Sequence, residues 1–286
     1  MAVLVPTTLD DALAELARRP AATVLAGGTD VMVETNMGHR RFSDVVAVHR
    51  VAELRSWTHD AVRSTLTLGA GVTWAEVEAS PIAAWVPALA QAARTVGSPQ
   101  IRHAGTVGGN LGTCSPAGDG LPPLAALDAV VHLRSLAGSR DLTFAEYMTG
   151  PKRTARQPGE LVTGVTVPLL GGWQGYAKVG VRNAMVIATA SAALVVDPRV
   201  GSGSPVRLAL GSVGPTILRC SEAETFIAGA LSSGGGAPSV ADVEHFAELA
   251  VAAARPIDDH RATAAYRRHA VGVLAARLLR RAFPDA

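Results

Sequence analysis

Gly105-Thr-Val-Gly-Gly-Asn-Leu-Gly-Thr-Cys-Ser-Pro-Ala-Gly-Asp119 decides how this chain is read. Gly105, Gly108, Gly109 and Gly112 strip side chains from a backbone that something must approach closely, because a Cβ would block the approach. Thr106, Asn110, Thr113 and Ser115 add short hydrogen-bonding groups, and Asp119 puts a carboxylate at the far end. Glycines spaced in this way suit backbone N–H groups that reach a phosphate-like group or a flat ring. A tight turn between strands has the same spacing, so the segment alone leaves both readings open.

Leu25-Ala-Gly-Gly-Thr-Asp30 repeats the logic. A strand over Thr23–Leu25 ends, glycines bare the backbone, a hydroxyl follows, and a short helix over Val31–Asn36 begins. A helix N-terminus offers free N–H groups and partial positive charge to a phosphate. Taken alone, this too reads as a strand-to-helix turn. Together the two loops point to one cofactor, since a pyrophosphate needs donors from two sides and an extended dinucleotide needs two walls. Gly69-Ala-Gly71-Val-Thr-Trp74 comes nearest to the nicotinamide fingerprint, but Trp74 holds the third glycine's place and no acid is set to hold a ribose. No Gly-x-x-x-x-Gly-Lys-Ser/Thr occurs, which argues against a nucleotide triphosphatase.

The 286 residues suffice for two or three compact units. Hydrophobic residues make up 48% and aromatic ones only 4%, so the core is Ala, Val and Leu, as in an ordinary α/β protein. The net charge of +2, with arginines concentrated only in the last helix, argues against nucleic acid as the main partner. No apolar run reaches the ~20 residues of a membrane helix. The N-terminus lacks a basic segment ahead of an apolar one, so a cytoplasmic protein is expected. Two cysteines, Cys114 and Cys220, cannot supply the four ligands of an iron–sulfur cluster. No Cys/His pair has zinc-site spacing, so no metal site is expected and the cofactor is read as organic.

Periodicity divides the chain into three parts. Residues 1–54 read as a small α/β unit: a strand at Ala2–Val5, a helix capped by Thr8, the strand at Thr23–Leu25, and another at Val45–Val48. Residues 55–170 begin with a strand at Thr65–Leu68. Capping boxes at Thr73-Trp-Ala-Glu76 and Thr143-Phe-Ala-Glu146 start helices. Pro81 and Pro87 interrupt a helical stretch that continues to Thr95, and Leu121–Leu127 reads as a short helix. Strands follow at Ala129–Arg134 and Leu161–Val167. Residues 171–286 carry strands near Gln174–Gly180, Ala188–Val196 and Val206–Val213. Helices follow at Ser221–Leu231, Ala241–Ala254 and Thr263–Ala282, with a glycine-rich surface loop over 232–238. Strands followed by helices suggest a self-contained α+β unit.

These motifs in this order resemble the FAD-binding medium subunit of molybdenum hydroxylases, the family of carbon monoxide dehydrogenase and of the xanthine dehydrogenase flavin domain. The likeness rests on Leu25-Ala-Gly-Gly-Thr-Asp30, Gln100-Ile-Arg-His-Ala-Gly-Thr-Val-Gly-Gly-Asn-Leu111 and Ser115-Pro-Ala-Gly-Asp119. Weaker landmarks are Glu160-Leu-Val162, Tyr176-Ala-Lys178, Val213-Gly-Pro-Thr216 and Arg261-Ala-Thr-Ala-Ala-Tyr-Arg-Arg268, and together they cover nearly the whole chain. The resemblance implies an α+β fold. A two-part FAD-binding region of the vanillyl-alcohol-oxidase (PCMH) type precedes a C-terminal α+β domain of three strands and three helices. It implies that FAD lies between the first two parts. Leu25, Ala26, Gly27, Gly28, Thr29, Asp30 and Val31, with Thr106, Val107, Gly108, Gly109 and Asn110, would wrap the diphosphate and ribityl chain. Asp119 would bond polar groups of the cofactor. Val162 and Lys178 match positions near the adenine or the flavin. Thr29 stands where some distant flavoproteins carry a histidine that bonds FAD covalently, so non-covalent FAD is expected.

By the same resemblance, the chain is one subunit of a hetero-oligomer. A small iron–sulfur subunit would carry [2Fe-2S] clusters, and a large subunit would carry molybdopterin. Electrons would pass from the iron–sulfur partner to FAD and on to NAD⁺, oxygen, a quinone or another acceptor. The chain has no credible acid–base pair or Ser/His/Asp arrangement, so no catalytic side chain is assigned and the chemistry belongs to the cofactor. A self-sufficient flavin oxidoreductase on the same fold, and a docking protein with a vestigial flavin site, are the alternatives. The first needs a proton acceptor over the flavin, and none is evident; the second is disfavoured because both glycine loops are intact. Cys114 reads as a buried small hydrophobe, His103 as structural or exposed, and Trp74 and Trp85 as core or interface anchors.

Overall fold

The computed structural model describes residues 1–38, 41–42, 44–197, 206–233 and 237–284. The chain starts with β1 (Val3–Leu4) and α1 (Leu9–Arg18). Thr8 caps α1 by accepting from the Asp11 N–H, and Leu9, Ala12, Leu13 and Leu16 form its buried stripe. β2 (Thr23–Leu25) leads through the first glycine loop to α2 (Val31–Asn36). β3 (Val45–Ala47) then enters between β1 and β2, parallel to both. Next come β4 (Trp57–Asp60), β5 (Thr65–Gly69) and α3 (Trp74–Glu78). The capping box expected at the start of α3 is present: Glu76 accepts from the Thr73 N–H, and the Thr73 hydroxyl accepts from the Glu76 N–H. Pro81 flanks α4 (Ile82–Trp85), and Pro87 opens α5 (Pro87–Thr95), a position where its missing N–H costs nothing.

The glycine-rich segment is helical rather than a loop. α6 (Pro99–Ala104) is capped by Ser98, and α7 (Val107–Thr113) by Thr106, whose hydroxyl accepts from the Gly109 N–H. Glycine and proline disfavour helix, so propensity hides both; caps and packing override it. After α8 (Leu121–Ala126) come β6 (Val130–Ser135), β7 (Gly138–Thr143), α9 (Phe144–Tyr147), β8 (Met148–Gly150), β9 (Arg153–Thr154) and β10 (Leu161–Pro168). The remainder is β11 (Trp173–Val179), β12 (Ala190–Val196), β13 (Val206–Gly211), β14 (Leu218–Arg219), α10 (Ser221–Ser233), α11 (Val240–Ala253) and α12 (Ala264–Ala282). Positions 234–236 of the expected glycine-rich loop lie outside the described residues. Among the described residues, no helix is long and apolar enough to cross a membrane.

Two compact units interleave along the chain. The first comprises Met1–Val77, Gly97–Cys114 and Asp128–Pro168. Its main sheet is antiparallel in the order β4-β5-β10-β6-β7, and the short parallel sheet β1-β3-β2 accompanies it. Leu66, Leu68, Val131, Leu133, Val165 and Val167 alternate onto one buried face. The other face carries a polar ladder. Thr67 and Thr166 hydroxyls lie 2.7 Å apart, Thr166 is 2.6 Å from His132 Nε2, and His132 Nδ1 is 2.7 Å from Asp141. β4 and β7 escape the sequence reading because they are polar edge strands.

The second unit comprises Glu78–Val96, Ser115–Leu127 and Leu169–Ala286. Its antiparallel sheet runs β11-β12-β13-β14, so a two-residue edge strand joins the three expected ones. Every residue of β12 is buried, because the sheet is covered on both faces. Ala190, Ala192, Leu194 and Val196 pack with α10–α12 through Ile227, Phe246, Leu274 and Leu278. α5 and α8 also pack on this sheet. Arg267 of α12 is buried and donates to the carbonyls of Thr189 (2.6 Å) and Ser212 (2.9 Å) and to Asp259 (2.7 Å). Partial burial works against ionisation of Asp259, but the Arg261 N–H and Arg267 overcome it and hold its carboxyl at about 2.

Candidate functional site

The glycines divide into two kinds. A Cβ on Gly27 would sit 1.7 Å from the Ala104 carbonyl oxygen, and one on Gly108 would sit 2.4 Å from the Ala70 Cβ. What approaches these two closely is the protein's own chain: the C-terminal end of α6 in one case, the segment after β5 in the other. Gly28, Gly109 and Gly112 face more open space. The nearest atoms to a Gly28 Cβ are 3.4 Å away, Gly109 would meet only the Thr106 hydroxyl at 3.1 Å, and Gly112 nothing within 4 Å. Gly28 also has φ +72°, which an L side chain rarely adopts.

The two motifs differ further in where their backbone N–H groups go. In α7 the first three amides are engaged within the unit. Val107 N–H donates to Val72 O (2.9 Å), Gly108 N–H to Ala70 O (2.8 Å) and Gly109 N–H to the Thr106 hydroxyl (3.0 Å). The N-terminus of α7 is therefore closed to an outside anion. The loop after β2 is the reverse: among the described residues, no acceptor meets the backbone N–H groups from Ala26 to Val31. Six consecutive amides are left for something else. Leu25, just before them, is tied down, its carbonyl accepting from Val48 N–H.

The two motifs nevertheless converge. Gly27 lies against Ala104 and Gly105, and the Thr113 hydroxyl at the end of α7 donates to Asp30 (3.2 Å). Asn110, on α7, has a buried Oδ1 with no partner. The six amides lie in a partly exposed loop that a ligand can reach, and the buried Asn110 Oδ1 is an acceptor left for a donor. A diphosphate accepts from the amides and a polyol hydroxyl donates to Asn110, so the residues present fit a flavin dinucleotide. Val162 is buried in β10, opposite Leu133 of β6 and beside a bulge. The next carbonyl, of Thr163, accepts from the Ala70 N–H (2.9 Å), which sets β10 alongside the packing of Gly108.

Asp119 and Lys178 belong to the second unit and bond to each other. Lys178 Nζ donates to Asp119 Oδ2 at 2.6 Å, and both side chains are 9% exposed. Its other two protons reach the carbonyls of Thr95 (2.9 Å) and Val186 (3.0 Å), so its donor capacity is complete. The Tyr176 hydroxyl donates to Asp119 Oδ1 at 3.0 Å. Burial pushes the Asp119 carboxyl upward, with Lys178 and Tyr176 opposing. Burial and the neighbouring Asp119 push the Tyr176 phenol well above its ordinary range, so it remains a donor. The sequence reading overlooked Tyr176 as a site residue. Its spacing held the signal, since Tyr176 and Lys178 are two apart on a strand and share a face.

The remaining candidates are structural. Cys114 is buried at the C-cap of α7 with φ +48°, and burial raises its thiol to about 12, as it does for Cys220. Neither is a reactive thiolate. His103 is exposed, with Nδ1 2.8 Å from the Pro99 carbonyl oxygen. Trp74 is buried in the core and Trp85 half-buried. No group of three His, Cys, Asp or Glu residues among those described could hold a metal ion.

Residues 1–170 match the family described as the FAD binding domain in molybdopterin dehydrogenase, and 176–282 match the CO dehydrogenase flavoprotein C-terminal domain. The chain is 33% identical over 221 residues to a putative xanthine dehydrogenase FAD-binding subunit of Escherichia coli, covering 76% of this chain and 75% of that one. It is 28% identical to the carbon monoxide dehydrogenase medium chain of Hydrogenophaga pseudoflava, covering 97% and 95%. A solved structure of that organism's carbon monoxide dehydrogenase, lacking the Mo-pyranopterin moiety, superposes with a TM-score of 0.89 at 28% identity over 99% of this chain and 97% of that one. The α+β architecture and the two-domain order expected from the sequence are those of carbon monoxide dehydrogenase medium chains. With its first 170 residues matched and its C-terminal domain following in order, the chain belongs to the FAD-binding flavoprotein family of the molybdopterin dehydrogenases.

Proposed function

We propose that this chain is the FAD-binding electron-transfer subunit of a cytoplasmic molybdenum hydroxylase. It takes electrons from a small iron–sulfur subunit, works beside a large molybdopterin subunit, and passes electrons to an external acceptor. The observation that carries the reading is the row of unengaged amides at Ala26–Val31, with the unpartnered Asn110 Oδ1 on α7, the helix whose end bonds Asp30. The FAD-binding domain matched over 1–170 supports FAD as the ligand of that row. Bound FAD supplies acceptance of electrons singly or in pairs.

The protein's own part is binding and orientation. Amides of Ala26, Gly27, Gly28, Thr29, Asp30 and Val31 hold the diphosphate, with Leu25 fixing the loop's start. Thr106, Gly108 and Gly109 form a wall of small residues backed by the buried Val107, and Asn110 accepts from a hydroxyl of the ribityl chain. Asp119 offers its remaining lone pairs to polar groups of the cofactor, held by Lys178 and Tyr176. Val162 lines the apolar side. FAD is held non-covalently, because Thr29 offers no ring nitrogen for a bond. The sequence modules are 1–54 and 55–170 for the cofactor and 171–286 for the C-terminal domain; the family matches over 1–170 and 176–282 support the division near 170.

The purified chain is expected to be yellow, to release its flavin on acid or heat, and to regain it from FAD. Asn110→Ala is expected to weaken FAD binding about fivefold to tenfold, the loss of one hydrogen bond, by fluorescence titration. A colourless chain that FAD cannot reconstitute overturns the reading. Failure to copurify with an iron–sulfur partner overturns the electron-transfer assignment alone.

A further inference from the structure

Asp30 poses an electrostatic problem. It lies within the row of open amides and is 48% exposed, so a carboxylate stands where a diphosphate is to be seated. Glu34 follows one turn later, in α2. Like charges at this range repel unless a cation intervenes. The structure places one there. Lys152, in the turn between β8 and β9, donates through Nζ to Glu34 and lies 3.9 Å from Asp30 Oδ2. Three further features fix this turn. Lys152 has φ +54°, its N–H donates to the Cys114 carbonyl (3.1 Å), and Thr113, one residue earlier, donates to the same Asp30 oxygen (3.2 Å). The end of α7 thus anchors both the lysine backbone and the carboxylate that the lysine faces.

We infer that Lys152 is a positioning residue for the cofactor loop, which tunes affinity for the dinucleotide's diphosphate by offsetting the charge of Asp30 and Glu34 and fixing the loop's far end. The inference rests on the FAD reading above. Lys152 itself needs no contact with the cofactor. Its effect travels through Asp30, and it is electrostatic, so salt must weaken it.

The test is a fluorescence titration of the full-length apo-protein with FAD at low and high salt, with thermal melting as a check on folding. Lys152→Gln is expected to raise the FAD Kd about threefold to fivefold at low salt, as befits a partly exposed ion pair, with the difference shrinking at high salt. Lys152→Arg keeps the charge and is expected to stay near the parent value. Asp30→Asn in the Lys152→Gln background is expected to restore part of the affinity, because one of the two uncompensated carboxylates is gone while Glu34 remains. An unchanged Kd in Lys152→Gln, an equal loss in Lys152→Arg, or a loss that salt leaves intact overturns the inference while the parent still binds FAD. A parent chain that does not bind FAD overturns both the inference and the reading beneath it.

Discussion

The loop at 25–30 and the segment at 105–112 look alike in sequence, and the fold uses them in opposite ways. In the first, Ala26–Val31 keep their amides open and only Gly27 is pressed against the chain. In the second, Val107, Gly108 and Gly109 have their amides engaged, and Gly108 is pressed against Ala70. A glycine reports that something comes close, but not what. Counting where each N–H goes decides whether the neighbour is a ligand or the protein itself.

The contrast can be broken first at its packing end. Gly27→Ala and Gly108→Ala each drive a methyl group into backbone or a fixed Cβ, so each is expected to destabilise the fold by about 3 kcal/mol or more, read by denaturant unfolding. Parent-like stability in either would remove the packing explanation. Gly28→Ala has space but the wrong backbone hand, with an expected cost of about 1–2 kcal/mol. Its loss of FAD affinity should exceed what its melting shift accounts for, because the strain lies in the donor row. The smallest effect belongs to Gly112→Ala, where a helical residue meets open space: a gain of about 0.5–1 kcal/mol with FAD affinity unchanged. A large loss of affinity there would mean that the cofactor crosses the end of α7.

Much of this was legible in advance. Thr73/Glu76 and Thr143/Glu146 announced their helices because a capping box is a local device. The strand–glycine–helix run from Thr23 to Asn36 was legible because its apolar strand and its breaker stand side by side. The helices at 99–104 and 107–113 were not, since glycine and proline argue against helix there and only short caps and packing outweigh them. Ser98-Pro99 was the overlooked clue, a cap followed by proline at the first helical position. Tyr176 and Lys152 were illegible as partners because each meets its carboxylate across a long stretch of sequence, 57 residues for Tyr176–Asp119 and 118 for Lys152–Glu34. Edge strands such as Gly138–Thr143 lacked an apolar alternation to read.

The interleaving of the two units bears on how the gene can be cut. The chain leaves one unit for the other after Val77, Val96, Cys114, Leu127 and Pro168, so the sequence modules are not the folding modules. A fragment ending near residue 170 keeps α5 and α8, with Leu89, Ala92, Leu121 and Leu124, but lacks the sheet of β11–β14 on which those helices pack. Such a fragment would carry the whole donor row and still present an unburied apolar surface, a recipe for aggregation rather than for a minimal flavin-binding domain.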